Sequence, residues 1–288
     1  MIKTTDIKNE IIDLSKELLM VDNVNLPFSS LLLRKGTEKG TSTIVSWKYE
    51  KLDATRKTAN EGADITEFQT SDRSTGDKNV MQIIEKAVSI SDTANAVSVE
   101  NIQNLFAHEI NNRIIESKRD LEYFLINGVY GEIDPRQMKG LLNFATVENT
   151  ISKTTAPSLA DFQEMSKKMR KQGTSSQNLV LLCDYNMTDV INTLFDDKLR
   201  YIGVTNEFGS PVLKINLTYG SAYVYTIDAM PLDTCALVNL DYLKLSELRN
   251  MQYQDLAKTG DSRKGFIVME NTLKVKHPGA LTVFKKTA

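Results

Sequence analysis

A long polar segment between two strand-like runs is the feature that most constrains how this chain can fold. Residues 42–51 and 79–90 are rich in β-branched and aromatic positions, whereas the roughly thirty residues between them are polar and rich in turn-forming types. A segment of this composition cannot form a core of its own. It predicts either an extended two-stranded arm that reaches away from the body or a disordered surface loop.

Two large apolar side chains within the segment favour the arm. Ile65 and Phe68 stand among solvated residues, and an isolated hairpin cannot shelter them, so we expect a neighbouring chain to cover them. Trp47 is the only tryptophan and lies where the arm leaves the body. We therefore predict Trp47, Ile65 and Phe68 as candidates for inter-subunit contact.

Helical periodicity appears on both sides of the segment. Apolar residues from Ile7 to Leu18 predict a first amphipathic helix that ends before residues 23–27, after which residues 31–33 lead into a glycine turn. A longer helix is predicted over residues 98–127, with Ser98 as its N-cap. Thirty residues at about 1.5 Å each span roughly 45 Å, which suits a structural beam.

The second half of the chain predicts an α/β unit followed by strands. Ser158 with Asp161 forms a helix-capping signature. The pattern then predicts a buried strand, a helix and two further strands, at residues 178–183, 186–195, 222–228 and 235–240. Three closing strands are predicted at residues 265–270, 272–277 and 280–285, separated by Asn271 and by Pro278-Gly279. The fold class is therefore α+β.

Composition excludes several classes of protein. The 288 residues are 41% hydrophobic and 25% charged, which suits one large or two small globular domains. The net charge of -2 lacks the basic excess of a dedicated nucleic-acid binder. We expect no secretory signal and no membrane span. Cys183 and Cys235 lie in apolar strand-like runs, which predicts buried free thiols in a reducing cytoplasm.

No motif in the chain carries recognisable chemistry. His108 and His277 pair with no nucleophile in the sequence, and the glycines of RKGTEKGTST lack phosphate-loop spacing and indicate a turn. We predict no catalytic residue, no cofactor and no metal site, and we do not expect an enzyme. Carboxylate pairs such as Asp196-Asp197, or Glu116 with Asp120, leave a hydrolase open as a minor alternative.

Five sequence blocks, in order along nearly the whole chain, resemble tailed-bacteriophage major capsid proteins, in a divergent branch found in some short-tailed phages. The blocks are AVSISDTANAV, KRDLEYFLING, DPRQMKGLLN, LTYGSAYVYTIDAMP, and LAKTGD followed by ENTLKV. The resemblance implies an L-shaped subunit of the fold that capsids share with encapsulins. Its regions would be an N-terminal arm at 1–40, an extended loop over a neighbouring subunit at 41–90, a peripheral domain at 91–149 and 246–288 with its spine helix at 98–127, and an axial domain at 150–245.

The resemblance also implies partners and a location. The chain would assemble with itself into the pentamers and hexamers of an icosahedral shell, and this shell would enclose double-stranded DNA without sequence-specific binding. Other partners would be a portal and, because only about forty residues precede the loop, a separate scaffolding protein if one is needed. The chain would be made in the bacterial cytoplasm and end in the virion, without contact to a membrane.

Three further points stay open on the sequence. Some relatives crosslink an arm lysine to an asparagine of a neighbour; Lys51, Lys57 and Asn271 are present, but we do not expect a crosslink. An encapsulin-like compartment would share the fold and hold cargo enzymes. A phage structural or adhesin protein that does not assemble would fit if the polar segment were only disordered.

Overall fold

The computed structural model describes residues 25–96, 104–196, 214–258 and 260–287. The helix predicted at residues 7–18, and Ser98, lie outside these ranges. The helices are α1 Pro27–Arg34, α2 Asp92–Ala96, α3 Leu105–Asn127, α4 Leu159–Lys171 and α5 Tyr185–Asp196. The strands are β1 Thr37–Lys39, β2 Ile44–Lys48, β3 Gly76–Val80, β4 Gln82–Ser91, β5 Thr150–Lys153, β6 Leu179–Cys183, β7 Lys214–Asn216, β8 Ser221–Thr226, β9 Thr234–Asn239, β10 Leu243–Asp255, β11 Ser262–Val275 and β12 Leu281–Lys286.

The described strands form three sheets, and together with the helices they confirm the α+β class. One sheet has four strands in the order β1-β10-β11-β4, a second has six in the order β5-β12-β9-β6-β8-β7, and β2 pairs only with β3. One hydrophobic core lies between the four-stranded sheet, α3 and one face of the six-stranded sheet. A second core lies between the other face of the six-stranded sheet and the helices α4 and α5.

The long helix α3 begins later than its apolar periodicity predicts. Asn104 is the N-cap, with an extended backbone and a side-chain oxygen that accepts the N–H of Ala107 at 3.0 Å. The predicted start at Ser98 was therefore wrong, and the 23 residues of the helix span about 35 Å. Its C-terminal half buries Leu121, Leu125 and Ile126 in the first core.

A short helix replaces the predicted break near residue 27. Pro27 occupies the first turn of α1, where its missing N–H is not needed, and Phe28 and Leu32 are buried. The prediction was wrong because a proline is compatible with the end of one helix and with the start of another. The predicted turn at 36–40 also contains β1, which pairs in parallel with β10.

The closing strands differ from their prediction in two ways. Asn271 does not interrupt β11, because it pairs with Glu247 on one side and with Gln82 on the other. A central strand with partners on both sides tolerates a residue that would favour a turn at an edge. The strand β12 joins the six-stranded sheet instead of returning to the four-stranded one.

The α/β unit is close to its prediction. The strands β6 and β9 are buried along their whole length, because the six-stranded sheet has covered faces on both sides. The predicted capping pair is present: the N–H and the hydroxyl of Ser158 donate to Asp161 at 2.9 and 2.8 Å. Cys183 and Cys235 are buried free thiols, as predicted.

We expect Asp161→Asn to lower the free energy of unfolding at neutral pH by about 1–2 kcal/mol. Burial alone would raise the pKa of Asp161, but Lys153 at 2.5 Å and the two Ser158 donors lower it below the ordinary 3.8. This stabilisation is therefore present above pH 3.8 and disappears as the pH falls through the lowered pKa. Urea unfolding of both proteins from pH 2 to 7 measures it.

Glu164→Gln, on the exposed side of the same helix, is the matched control. It should change stability by less than about 0.5 kcal/mol. A difference between wild type and Asp161→Asn that persisted unchanged to pH 2 would contradict this account of the cap.

Candidate assembly surfaces

The polar segment begins as a hairpin on the body and continues as an exposed loop. The strands β2 and β3 pair in register from Ile44 opposite Val80 to Lys48 opposite Gly76. Beyond them, Lys51 and Asp72 exchange two backbone hydrogen bonds of 2.9 Å. Residues 52–71, all of which the structure describes, form no helix or strand, and we call them the distal loop. The two-stranded prediction is thus confirmed for the base alone.

Large apolar side chains on the distal loop are exposed. Ile65 is 79% exposed and Phe68 is 82% exposed, and Leu52, which the sequence analysis missed, is 80% exposed. Isolated apolar residues on a surface are common, but here three lie on one loop of twenty mostly polar residues. Leu52 could have been found from the same signal as Ile65 and Phe68.

The hairpin base is fixed to the body by a buried asparagine. The Nδ2 group of Asn79 donates to the carbonyls of Leu273 and Lys139 at 2.7 and 3.0 Å. Its Oδ1 accepts the N–H of Lys139 at 2.7 Å. Asn79 is fully buried, and all of its side-chain polar atoms are bonded, so the end of the hairpin that joins the body is held firmly.

The structure places Trp47 apart from Ile65 and Phe68. The centroid of its ring lies 6.2 Å from the centroid of the Phe144 ring, and its Nε1 donates to the hydroxyl of Tyr49 at 3.1 Å. Trp47 is half-buried against the first core. It anchors the hairpin on its own subunit, and its remaining exposed surface is what a neighbour could cover.

We expect the emission of Trp47 to shift to shorter wavelength when subunits assemble. A covering neighbour would remove water from the exposed part of the ring, and no other tryptophan contributes to the signal. Emission spectra of free subunits and particles measure the shift, with Trp47→Phe as the control that removes the signal. An unchanged spectrum would contradict contact at this position.

Three of the residues considered for chemistry, His277, Glu116 and Asp120, form local contacts. Nδ1 of His277 accepts the N–H of Gly279 at 2.9 Å, and burial lowers the pKa of His277. The carboxylate of Glu116 pairs with Arg113, and that of Asp120 with Lys86 at 2.6 Å. Of the Asp196-Asp197 pair, Asp197 lies outside the described residues. Within the described ranges, no three histidine, cysteine or acidic residues are arranged to hold a metal ion.

Two further findings concern surface roles. Asn271 is only 3% exposed within β11, so it could not meet a lysine of another subunit unless the sheet opened. None of the helices in the described part of the chain has the length and apolarity needed to cross a membrane.

Several solved structures with the same fold are described as phage capsids or encapsulins. The cyanophage A-1(L) capsid subunit matches with a TM-score of 0.72 at 13% identity, covering 99% of this chain and 98% of that one. The capsid of Myoviridae phage XM1 matches with a TM-score of 0.62 at 12% identity, covering 97% of this chain and 100% of that one. The holo-SrpI encapsulin complex from Synechococcus elongatus PCC 7942 matches with a TM-score of 0.60 at 12% identity, covering 94% of this chain and 92% of that one. The fold is therefore that of phage capsid and encapsulin subunits.

The family is settled by a match along the entire chain. Residues 1–288 match the SU10 major capsid protein family, and the chain belongs to it. No curated protein matches the chain. The resemblance seen in the sequence is confirmed: this is a structural protein that forms the shell of a bacteriophage virion. The encapsulin-like alternative shares the fold, but the family is one of capsid proteins.

Proposed function

We propose that this major capsid protein forms an icosahedral head from pentamers and hexamers, and that each subunit lays its distal loop over a neighbour. The observation that carries the proposal is the contrast between a firmly bonded hairpin base at Asn79 and the exposed Ile65 and Phe68 beyond it. The rigid hairpin fixes the direction in which the distal loop leaves the body. The apolar side chains of the loop would be buried against the neighbour.

The energetics favour contact in trans. Full burial of a large apolar side chain contributes about 1.5–3 kcal/mol. A head-to-tail contact, in which the loop of one copy meets a different patch on the next, closes into a ring when the rotation between copies permits. Each subunit of a ring would repeat the contact, so a modest gain per loop would be multiplied around it.

The proposed regions follow the two sheets. The four-stranded sheet and α3 would form the peripheral domain, mainly residues 91–149 and 246–275. The six-stranded sheet with α4 and α5 would form the axial domain around fivefold and sixfold axes, at residues 150–245 together with β12. The separate second core beneath α4 and α5 supports this division. Residues 1–40 would be the N-terminal arm, and the subunit would be L-shaped.

The proposed partners follow from the same role. The shell would enclose double-stranded DNA without reading its sequence, which accords with a net charge of -2. A portal and a separate scaffolding protein would complete the assembly. The subunit would be synthesised in the cytoplasm of the bacterial host and would act without catalysis.

Self-assembly can be tested with the full chain, expressed alone and together with a scaffolding protein from the same phage. Light scattering and negative-stain electron microscopy should detect closed shells, or rings of five and six subunits, in at least one preparation. Monomers in both preparations, at concentrations where related capsid subunits assemble, would contradict the proposal.

A further inference from the structure

The two cysteines of the chain lie opposite each other in the centre of the six-stranded sheet. Cys183 is the last residue of β6, and the antiparallel register places Cys235 of β9 directly across from it. Both side chains are fully buried in the second core, so both point to the same face of the sheet. Separation by about fifty residues in the sequence hides this pairing.

The hydrogen-bond pattern defines which kind of cross-strand pair this is. The N–H of Asp184, the residue after Cys183, donates to the carbonyl of Thr234, the residue before Cys235, at 3.3 Å. In an antiparallel ladder this arrangement makes Cys183 and Cys235 a non-hydrogen-bonded pair, in which the Cα atoms approach to about 4.5 Å. That separation falls within the range of roughly 4.4–6.8 Å that a disulfide spans.

We propose that Cys183 and Cys235 form a dithiol modification site that hydrogen peroxide converts into an intrachain disulfide. One thiolate attacks peroxide, which breaks the O–O bond, forms a sulfenic acid and releases hydroxide. The second thiol attacks the sulfenic sulfur, which forms the S–S bond and releases water once the oxygen has been protonated. In total, two thiols and one peroxide give one disulfide and two water molecules.

Burial makes this reaction slow without forbidding it. Burial and the neighbouring Cys235 raise the pKa of the Cys183 thiol well above its ordinary value, which keeps the reactive thiolate scarce. The pair lies at the end of β6, however, next to the long 3.3 Å bond between Asp184 and Thr234. Local opening of this strand end would admit peroxide without global unfolding.

The disulfide would tie two central strands together. The strands β6 and β9 each have partners on both sides, so a covalent link between them would restrain the middle of the sheet. The link would close a loop of about fifty residues and restrict the unfolded chain, which raises the melting temperature. In a virion that has left the reducing cytoplasm, cellular thiol systems would no longer reduce such a disulfide.

The test uses the full chain, as free subunits and as particles, treated with hydrogen peroxide at neutral pH. After quenching, the protein is unfolded, alkylated and weighed by mass spectrometry. We expect neither cysteine to be alkylated, a mass two hydrogen atoms lower, and a melting temperature several degrees higher, all reversed by dithiothreitol. Cys183→Ala and Cys235→Ala should each lose the reversible rise in melting temperature.

Two results would overturn the proposal. One is alkylation of both cysteines in the peroxide-treated folded protein, under conditions that fully oxidise the urea-unfolded chain. This result would mean that peroxide does not reach the two thiols in the folded protein. The other is intermolecular disulfides or sulfinic acids as the main products, which would mean that the two sulfurs do not meet. Both readouts use the wild-type chain, so they do not depend on the folding of the alanine variants.

Discussion

A chain in which residues 52–71 are replaced by Asn-Gly is expected to fold but to form no closed shells. The backbone bridge between Lys51 and Asp72 already holds the ends of the loop together at 2.9 Å. An Asn-Gly turn directly between Lys51 and Asp72, which form a hydrogen-bonded pair, would therefore close the hairpin without strain. The replacement removes Ile65 and Phe68 and leaves β2, β3 and both cores intact. Circular dichroism measures folding, and light scattering with microscopy measures assembly.

Point variants separate the length of the loop from its apolar side chains. Ile65→Ser with Phe68→Ser keeps the loop length and should sharply reduce the yield of particles, because the serines offer little apolar surface to bury. Glu61→Ser with Gln69→Ser changes two exposed polar residues of the same loop and should leave the yield unchanged. Normal shells from the Asn-Gly chain would refute a contact in trans.

Glu122→Gln is expected to lower the free energy of unfolding by about 1–3 kcal/mol. Glu122 is 1% exposed, and its carboxylate accepts the N–H groups of Phe28 and Ser29 at 2.9 and 2.6 Å. These N–H groups lie at the start of α1, where no backbone carbonyl of the helix can accept them. Burial raises the pKa of Glu122, and the two donors oppose that rise. Glutamine offers one acceptor and turns its NH₂ group towards the other donor.

The same substitution at Glu109 is the matched control on the same helix. Glu109 forms a partly exposed ion pair with Arg113 at 3.2 Å, so Glu109→Gln should cost less than about 0.5 kcal/mol. Urea unfolding at neutral pH measures both variants. Equal losses would contradict the view that Glu122 fastens α1 to the long helix.

Local patterns predicted the elements whose environment is simple. The strands β6 and β9 are buried on both faces, so continuous apolar runs identified them. The helix α4 combines a capping pair with a regular apolar face, and both signals agree. Five blocks in family order then supplied the fold and the shell-forming role, which no single motif could.

The misplaced elements depend on residues far apart in the sequence. Pro27 is compatible with the end of one helix or the start of another, and Glu122, more than ninety residues later, accepts the free N–H groups at the start of α1. Asn271 continues β11 because strands on both sides supply partners. The role of Asn79 is equally hidden, since its bonds join the hairpin to Lys139 and Leu273.

The candidate contacts were only partly accessible to sequence reasoning. Ile65 and Phe68 could be selected because they interrupt a polar segment, and both are exposed to solvent in the structure. Trp47 was selected by its position in the chain, and it lies against Phe144 of its own subunit. A sequence pattern can show that an apolar side chain needs cover, but it does not tell whether the same chain supplies that cover.

The most direct test is a reconstruction of the assembled particle by electron cryomicroscopy, at a resolution that traces residues 53–70. We expect the distal loop to cross onto an adjacent subunit, with Ile65 and Phe68 packed against apolar side chains of that neighbour. A loop that folds back onto its own four-stranded sheet, or that stays in solvent with both side chains uncovered, would contradict the account.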